Sequence, residues 1–84
     1  MHLRTVLLAT VVLVDLVPVL STNVAAIGYD PATASLVIRF HNQSRVYRYK
    51  GVPQAVHDAF MASPSKGFFF TQHIKGRYSF EQVE

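Results

Sequence analysis

The stretch Arg45-Val46-Tyr47-Arg48-Tyr49-Lys50-Gly51-Val52-Pro53 constrains the fold of this chain more than any other. Its residues alternate with the period of a β-strand, so Tyr47 and Tyr49 project to one face and Val46, Arg48 and Lys50 to the other. Gly51 breaks the strand. Pro53 suits the first position of a helix, where a missing N–H costs nothing. One short segment therefore supplies an aromatic face, a basic face and a strand-to-helix junction. It supplies no reaction.

Upstream, Ser35-Leu36-Val37-Ile38-Arg39-Phe40-His41 is the clearest strand, with Leu36, Ile38 and Phe40 on one side and Val37, Arg39 and His41 on the other. Asn42-Gln43 joins it to the Tyr47–Tyr49 strand as a tight hairpin; Asn fits a positive-φ position, whereas Gln43 stands where glycine would cost less. Val24-Ala25-Ala26-Ile27-Gly28-Tyr29 is a shorter strand candidate, and Asp30-Pro31-Ala32-Thr33 reads as the turn that follows it.

Downstream the period changes. Val52, Val56 and Phe60 recur every four residues, giving a helix one apolar face. Ser63-Pro64 ends that helix, because a residue before proline avoids helical geometry. Ser65 is placed to cap a second helix starting near Lys66. There Phe69, Phe70 and Ile74 face the core and Gly76 suits the left-handed terminus. Phe68, Phe69 and Phe70 cannot all be buried on one helix face, so one is expected at the surface. Tyr78 to Val83 alternates as a final edge strand. The expected fold is α+β: three or four antiparallel strands packed against two short helices.

At 84 residues the chain holds one domain and buries only about 60% of its unfolded surface, so the core is small. With no cysteine there is neither a disulfide framework nor a thiolate metal site. The formal charge of +3 matters through its distribution. Between Arg39 and Arg77, the basic residues Arg39, Arg45, Arg48, Lys50, Lys66, Lys75 and Arg77 stand against the single acid Asp58, which favours an anionic partner such as nucleic acid or an acidic membrane surface.

Residues 1–14 differ from the rest. His2 and Arg4 lead into the apolar run Thr5–Val14, too short to span a bilayer as a helix. Three readings stand: a signal or membrane anchor, which would make the protein exported; a β-branched segment packed on the domain; or a non-native extension from an early start. The domain proper is placed at 15–84, with a cytoplasmic location expected unless the apolar run is a signal.

Several ordered elements together carry a family resemblance. They are Ser21-x-Asn23, Ile27-x-Tyr29-Asp30, the Leu36–Phe40 strand, Tyr47-x-Tyr49, Val52-Pro53, Phe60-Met61-x-Ser63, Ser65-Lys66-Gly67-x-Phe69-Phe70, Ile74 and Tyr78. From about Leu16 to Val83 the chain resembles the KTSC domain family, a short module named for its occurrence at the C-terminus of some lysyl-tRNA synthetases. Gln43 in the hairpin and the apolar extension depart from the family pattern. The resemblance implies no assigned activity; RNA binding is suggested by the company the module keeps with a tRNA synthetase.

The function expected is a non-catalytic binding module for RNA or tRNA, using Arg39, His41, Arg48 and Lys50 on the basic hairpin face together with Lys66. Contacts of this kind are electrostatic and weakly sequence-selective. Tyr47 and Tyr49 either stack bases or pack under the helices with their hydroxyls at the rim. Ser65-Lys66-Gly67 is either a phosphate-binding helix start or a simple cap. The alternative function is a protein-interaction or accessory domain, with the exposed member of Phe68–Phe70 as its pointer. His41, His57 and His73 lack the spacing of a metal site, and Asp58 is expected to point away from His57 on its helix. No cofactor, metal or catalytic set is read from the sequence.

Overall fold

A computed structural model describes residues 14–84. The expectations for residues 1–13 therefore lie outside the described residues. A single antiparallel sheet runs in chain order: β1 (Val17–Pro18), β2 (Val24–Asp30), β3 (Ser35–Phe40), β4 (Val46–Lys50) and β5 (Phe80–Gln82). Between β4 and β5 come α1 (Gln54–Ala62), α2 (Lys66–Phe69) and a π-helical turn over Phe70–Ile74. Five strands replace the three or four expected. The additional edge strand, Val17–Pro18, is too short for alternation to reveal, and its proline is tolerated because it sits at an edge.

Register fixes what each face carries. Leu36 pairs with Tyr49 and Ile38 with Tyr47, so these four share the face under the helices; Val37 pairs with Arg48 and Ser35 with Lys50 on the opposite face. On β2 the alternation is interrupted by an irregularity between Val24 and Ala26. That extra residue lets Val24, Ile27 and Tyr29 all face the helices, which is why this strand reads imperfectly in sequence. The core joins Val24, Ile27, Leu36, Ile38 and Tyr49 of the sheet to Val52, Phe60 and Ile74. Phe60 is wholly buried and stacks on Phe69 at 5.2 Å, tying α1 to α2. Complete burial of a side chain of this size contributes about 1.5–3 kcal/mol.

Two junctions differ from the sequence reading. The β3–β4 connection is a 3₁₀ turn over Asn42–Ser44, closed by the Phe40 N–H donating to the Arg45 carbonyl at 2.8 Å. Its left-handed residue is Ser44 (φ 51°), so the position of Gln43 needs no glycine. Pro53 stands one place before the helix, as its N-cap with extended ψ of 148°. Elsewhere the punctuation matches: Gly51 and Gly76 take φ of 71° and 79°, and the Asp30 side chain accepts from the Ala32 N–H and the Thr33 hydroxyl. Among the described residues, no helix is long and apolar enough to cross a membrane.

Gly28 reveals a contact on the face away from the helices. A Cβ there would lie 2.6 Å from the Asp15 carbonyl oxygen and 2.6 Å from a Val14 methyl, so the chain just ahead of β1 lies directly against the sheet. Gly28→Ala forces that segment off and should cost about 1–3 kcal/mol of unfolding free energy, read by urea denaturation. Phe60→Ala should cost about 3–5 kcal/mol in the same assay, a large share of what a domain of this size has.

Candidate nucleic-acid interface

The sheet separates the candidate residues by face. On the side away from the helices, Arg39 pairs with Glu84 at 3.0 Å, Arg48 with Glu81 at 3.1 Å and Lys50 with the same Glu81 at 3.6 Å. Both acids come from β5 and the residues after it, brought alongside by the pairing of Arg48 with Glu81 and the bond from the Val46 N–H to the Glu84 carbonyl at 3.0 Å. Exposed pairs of this type contribute about 0–1 kcal/mol to stability, but they reduce the local positive potential that would draw in phosphate. The Arg48 Nε is buried without a partner among the described residues.

Two other predicted cations lie elsewhere. His41 directs Nε2 to the Ser21 carbonyl at 3.1 Å, where it donates. Lys66 folds back to donate to the Ser63 carbonyl. Ser65 accepts from the Phe68 N–H at 3.3 Å and is a helix cap, and Gly67 packs against the Asn23 side chain. The residues expected to form one basic surface are thus not gathered into one.

The tyrosine pair also divides. Tyr49 is a core residue, whereas Tyr47 is half-buried at the lip of a cleft of about 540 Å³ on the helix side of the sheet. Phe40, Tyr49, Phe70 and Phe80 line it with Tyr47. These rings form a connected cluster with neighbouring centroids 5.2–6.5 Å apart, the range of favourable aromatic contacts. Phe80 reaches it because it is paired with Tyr49 across β4 and β5. Arg45 and Lys75 are at its edge, both exposed and with no ion pair among the described residues. The sequence counts both among its basic residues without placing either at a site. Arg45 stands two residues before Tyr47 and so shares the alternation of the tyrosines, a signal the sequence does hold, whereas Lys75 lies between a π turn and a glycine and shares no period with them.

The remaining motif residues are structural. Val52, Phe60 and Ile74 are fully buried, Phe69 and Tyr78 pack on the core from its margin, and Pro53 caps α1. Of the consecutive phenylalanines, Phe68 is the exposed one, at 66%. The His57 ring stacks on Tyr29 at 5.0 Å, and its Nδ1 meets an Asp58 carboxylate oxygen at 3.0 Å. The expected divergence of His57 and Asp58 is therefore corrected: a short acid can turn back along the helix to reach the preceding ring. His73 lies against Phe69, with ring centroids 4.6 Å apart.

The KTSC domain model matches residues 20–78. The chain belongs to the KTSC domain family. It is similar to a crystal structure of a KTSC domain protein from Yersinia pestis, with a TM-score of 0.82 and 39% identity, covering 86% of this chain and all of that one. A lysine–tRNA ligase from a Nostoc species is 37% identical over 60 residues, 71% of this chain and 10% of the ligase. Another from Nostoc punctiforme is 41% identical over 56 residues, 67% of this chain and again 10% of the ligase. A Tsukamurella paurometabola protein is 39% identical over 61 residues and is spanned over 90% of its length. The KTSC domain thus spans about a tenth of the ligases it matches. It spans nearly all of the small relatives.

Burial in the KTSC core acts on the tyrosine hydroxyls. It pushes the Tyr49 phenol from 10.0 up to about 12, with the neighbouring Tyr47 adding to the effect. The Tyr29 phenol is raised too, first by burial and then by Asp58 and Asp30, and it donates to the Val52 carbonyl. Folding therefore favours the neutral phenols. For Tyr49 the contribution to stability is intact below pH 10, around which unfolded tyrosine ionises, and is lost as pH rises through about 12. Alkaline unfolding should set in within that window, with a loss for Tyr49 of no more than about 3 kcal/mol. Tyr49→Phe should flatten it in pH-dependent denaturant titrations.

Proposed function

We propose that this KTSC domain is a non-catalytic RNA-binding module acting in the cytoplasm, and that its contact surface is the aromatic cleft edged by Arg45 and Lys75. The observation that carries this reading is the coincidence, on one side of the sheet, of accessible aromatic rings with cations that are unpaired among the described residues. RNA-binding surfaces combine those two ingredients, because phosphates need positive charge and unpaired bases offer flat apolar faces. Among the described residues the opposite face presents the cations Arg39, Arg48 and Lys50 with no aromatic ring paired beside them, and Glu81 and Glu84 engage all three. The similarity to a portion of lysine–tRNA ligases supports RNA as the partner and makes tRNA the first probe.

The alternative, a protein-interaction domain, is supported by a different place. Phe68 and the 98% exposed Leu20 line one shallow groove together with Pro64. Those two residues contribute nothing to the aromatic cleft, so the readings separate cleanly.

Binding of the full chain to tRNA across a range of salt concentrations tests the proposal. Arg45→Gln with Lys75→Gln should weaken binding and flatten the salt dependence by roughly 1.4–1.8 units of slope, near 0.7–0.9 for each phosphate no longer neutralised. Arg48→Gln with Lys50→Gln should leave the slope nearly unchanged. The reverse pattern would return the interface to the hairpin's other face, and no binding at low salt would end the RNA reading.

A further inference from the structure

We infer that the cleft is a slot for one unpaired nucleotide, with the base stacked on the outer face of Phe80 and the adjoining phosphates held by Arg45 and Lys75. This inference rests on the RNA-binding reading above and narrows it to single strands.

Ring spacing decides where a base can go. Admitting a base between two rings requires their planes to stand about 7 Å apart, twice the optimal contact distance of ~3.5 Å between carbon atoms. Every adjacent pair in the cluster is closer: Tyr47 to Phe80 is 5.5 Å, Tyr49 to Phe80 is 5.3 Å and Phe40 to Phe70 is 5.2 Å. Insertion is therefore excluded, and only an outward-facing ring can serve. Tyr49 is 5% exposed and Phe80 is 55% exposed.

Phe80 is also held from behind. Tyr49 underlies it at an interplanar angle of 33° and Tyr47 flanks it at 59°. A platform already fixed by its neighbours loses little freedom when a base settles on it. Phe80 stays 55% exposed despite those contacts, which leaves apolar area that a base would cover.

The rim completes the slot. Arg45 and Lys75 supply charge, and the Asn42 side chain makes no hydrogen bond among the described residues, which leaves an amide donor and acceptor for a base edge. A cleft of about 540 Å³ lies within the range of small-ligand sites, suited to one nucleotide and not to a run of stacked bases. A duplex keeps its base faces inside the stack, so it can meet the cations but not the ring.

The same chemistry occurs in a free nucleotide and in a strand, and the experiment separates them. The full chain is titrated with oligouridylate, with oligouridylate annealed to oligoadenylate, and with uridine monophosphate, following tyrosine fluorescence and the anisotropy of labelled RNA. Oligouridylate should quench tyrosine and bind more tightly than either comparison ligand. Phe80→Leu, which keeps an apolar side chain at an exposed position, should weaken oligouridylate binding about tenfold while leaving the duplex and the circular dichroism spectrum unchanged. If Phe80→Leu binds oligouridylate as wild type does while Arg45→Gln and Lys75→Gln weaken it, the slot is wrong and the RNA-binding reading survives. Equal affinity for duplex, or for the monophosphate, also overturns the slot. Failure of every RNA to bind overturns both.

Discussion

The pairing of β3 with β4 is the constraint on which the rest of this molecule depends. With Leu36 opposite Tyr49 and Ile38 opposite Tyr47, the hairpin commits its apolar and aromatic side chains to the helices and its cations to the other side. A slip of one residue would exchange the two faces, burying Arg48 and Lys50 beneath Phe60 and Ile74. The cost of burying unpaired charge makes that register untenable, so a few alternating residues set the polarity of the whole domain. The helices follow from it, since α1 and the π turn deliver Phe60 and Ile74 onto the surface the hairpin has prepared.

That division makes the two faces electrostatically unlike in a way a count of charges conceals. Arg39, Arg48 and Lys50 lie on neighbouring strands of one side, yet Glu81 and Glu84 engage all three. On the other side Arg45 and Lys75 are unpaired among the described residues. Function is read better from which charges are left over than from which are present.

The sequence made the β3–β4 hairpin, the α1 periodicity, the Ser65 cap and the KTSC resemblance legible, because each depends on contacts a few residues apart. Less was legible wherever a distant partner decides the outcome. The bulge in β2 is invisible without knowing that Val24 must reach the core, and the two residues of β1 are a strand only because β2 receives them. Tyr47 and Tyr49 are equivalent by alternation, yet Phe70 and Phe80 enclose Tyr49 and leave Tyr47 at the lip. The ion pairs were hidden for the same reason: Glu84 stands 45 residues from Arg39 and shares no local pattern with it.

The last strand has an importance out of proportion to its length. The matched span of the KTSC domain ends at residue 78, and β5 begins just after it. Within those three residues Phe80 turns to one side of the sheet and Glu81 to the other, while neither contributes to the buried core. One short strand thus contributes to the surface chemistry of both faces. A change in this strand would therefore alter the aromatic cleft and the charge of the far face together.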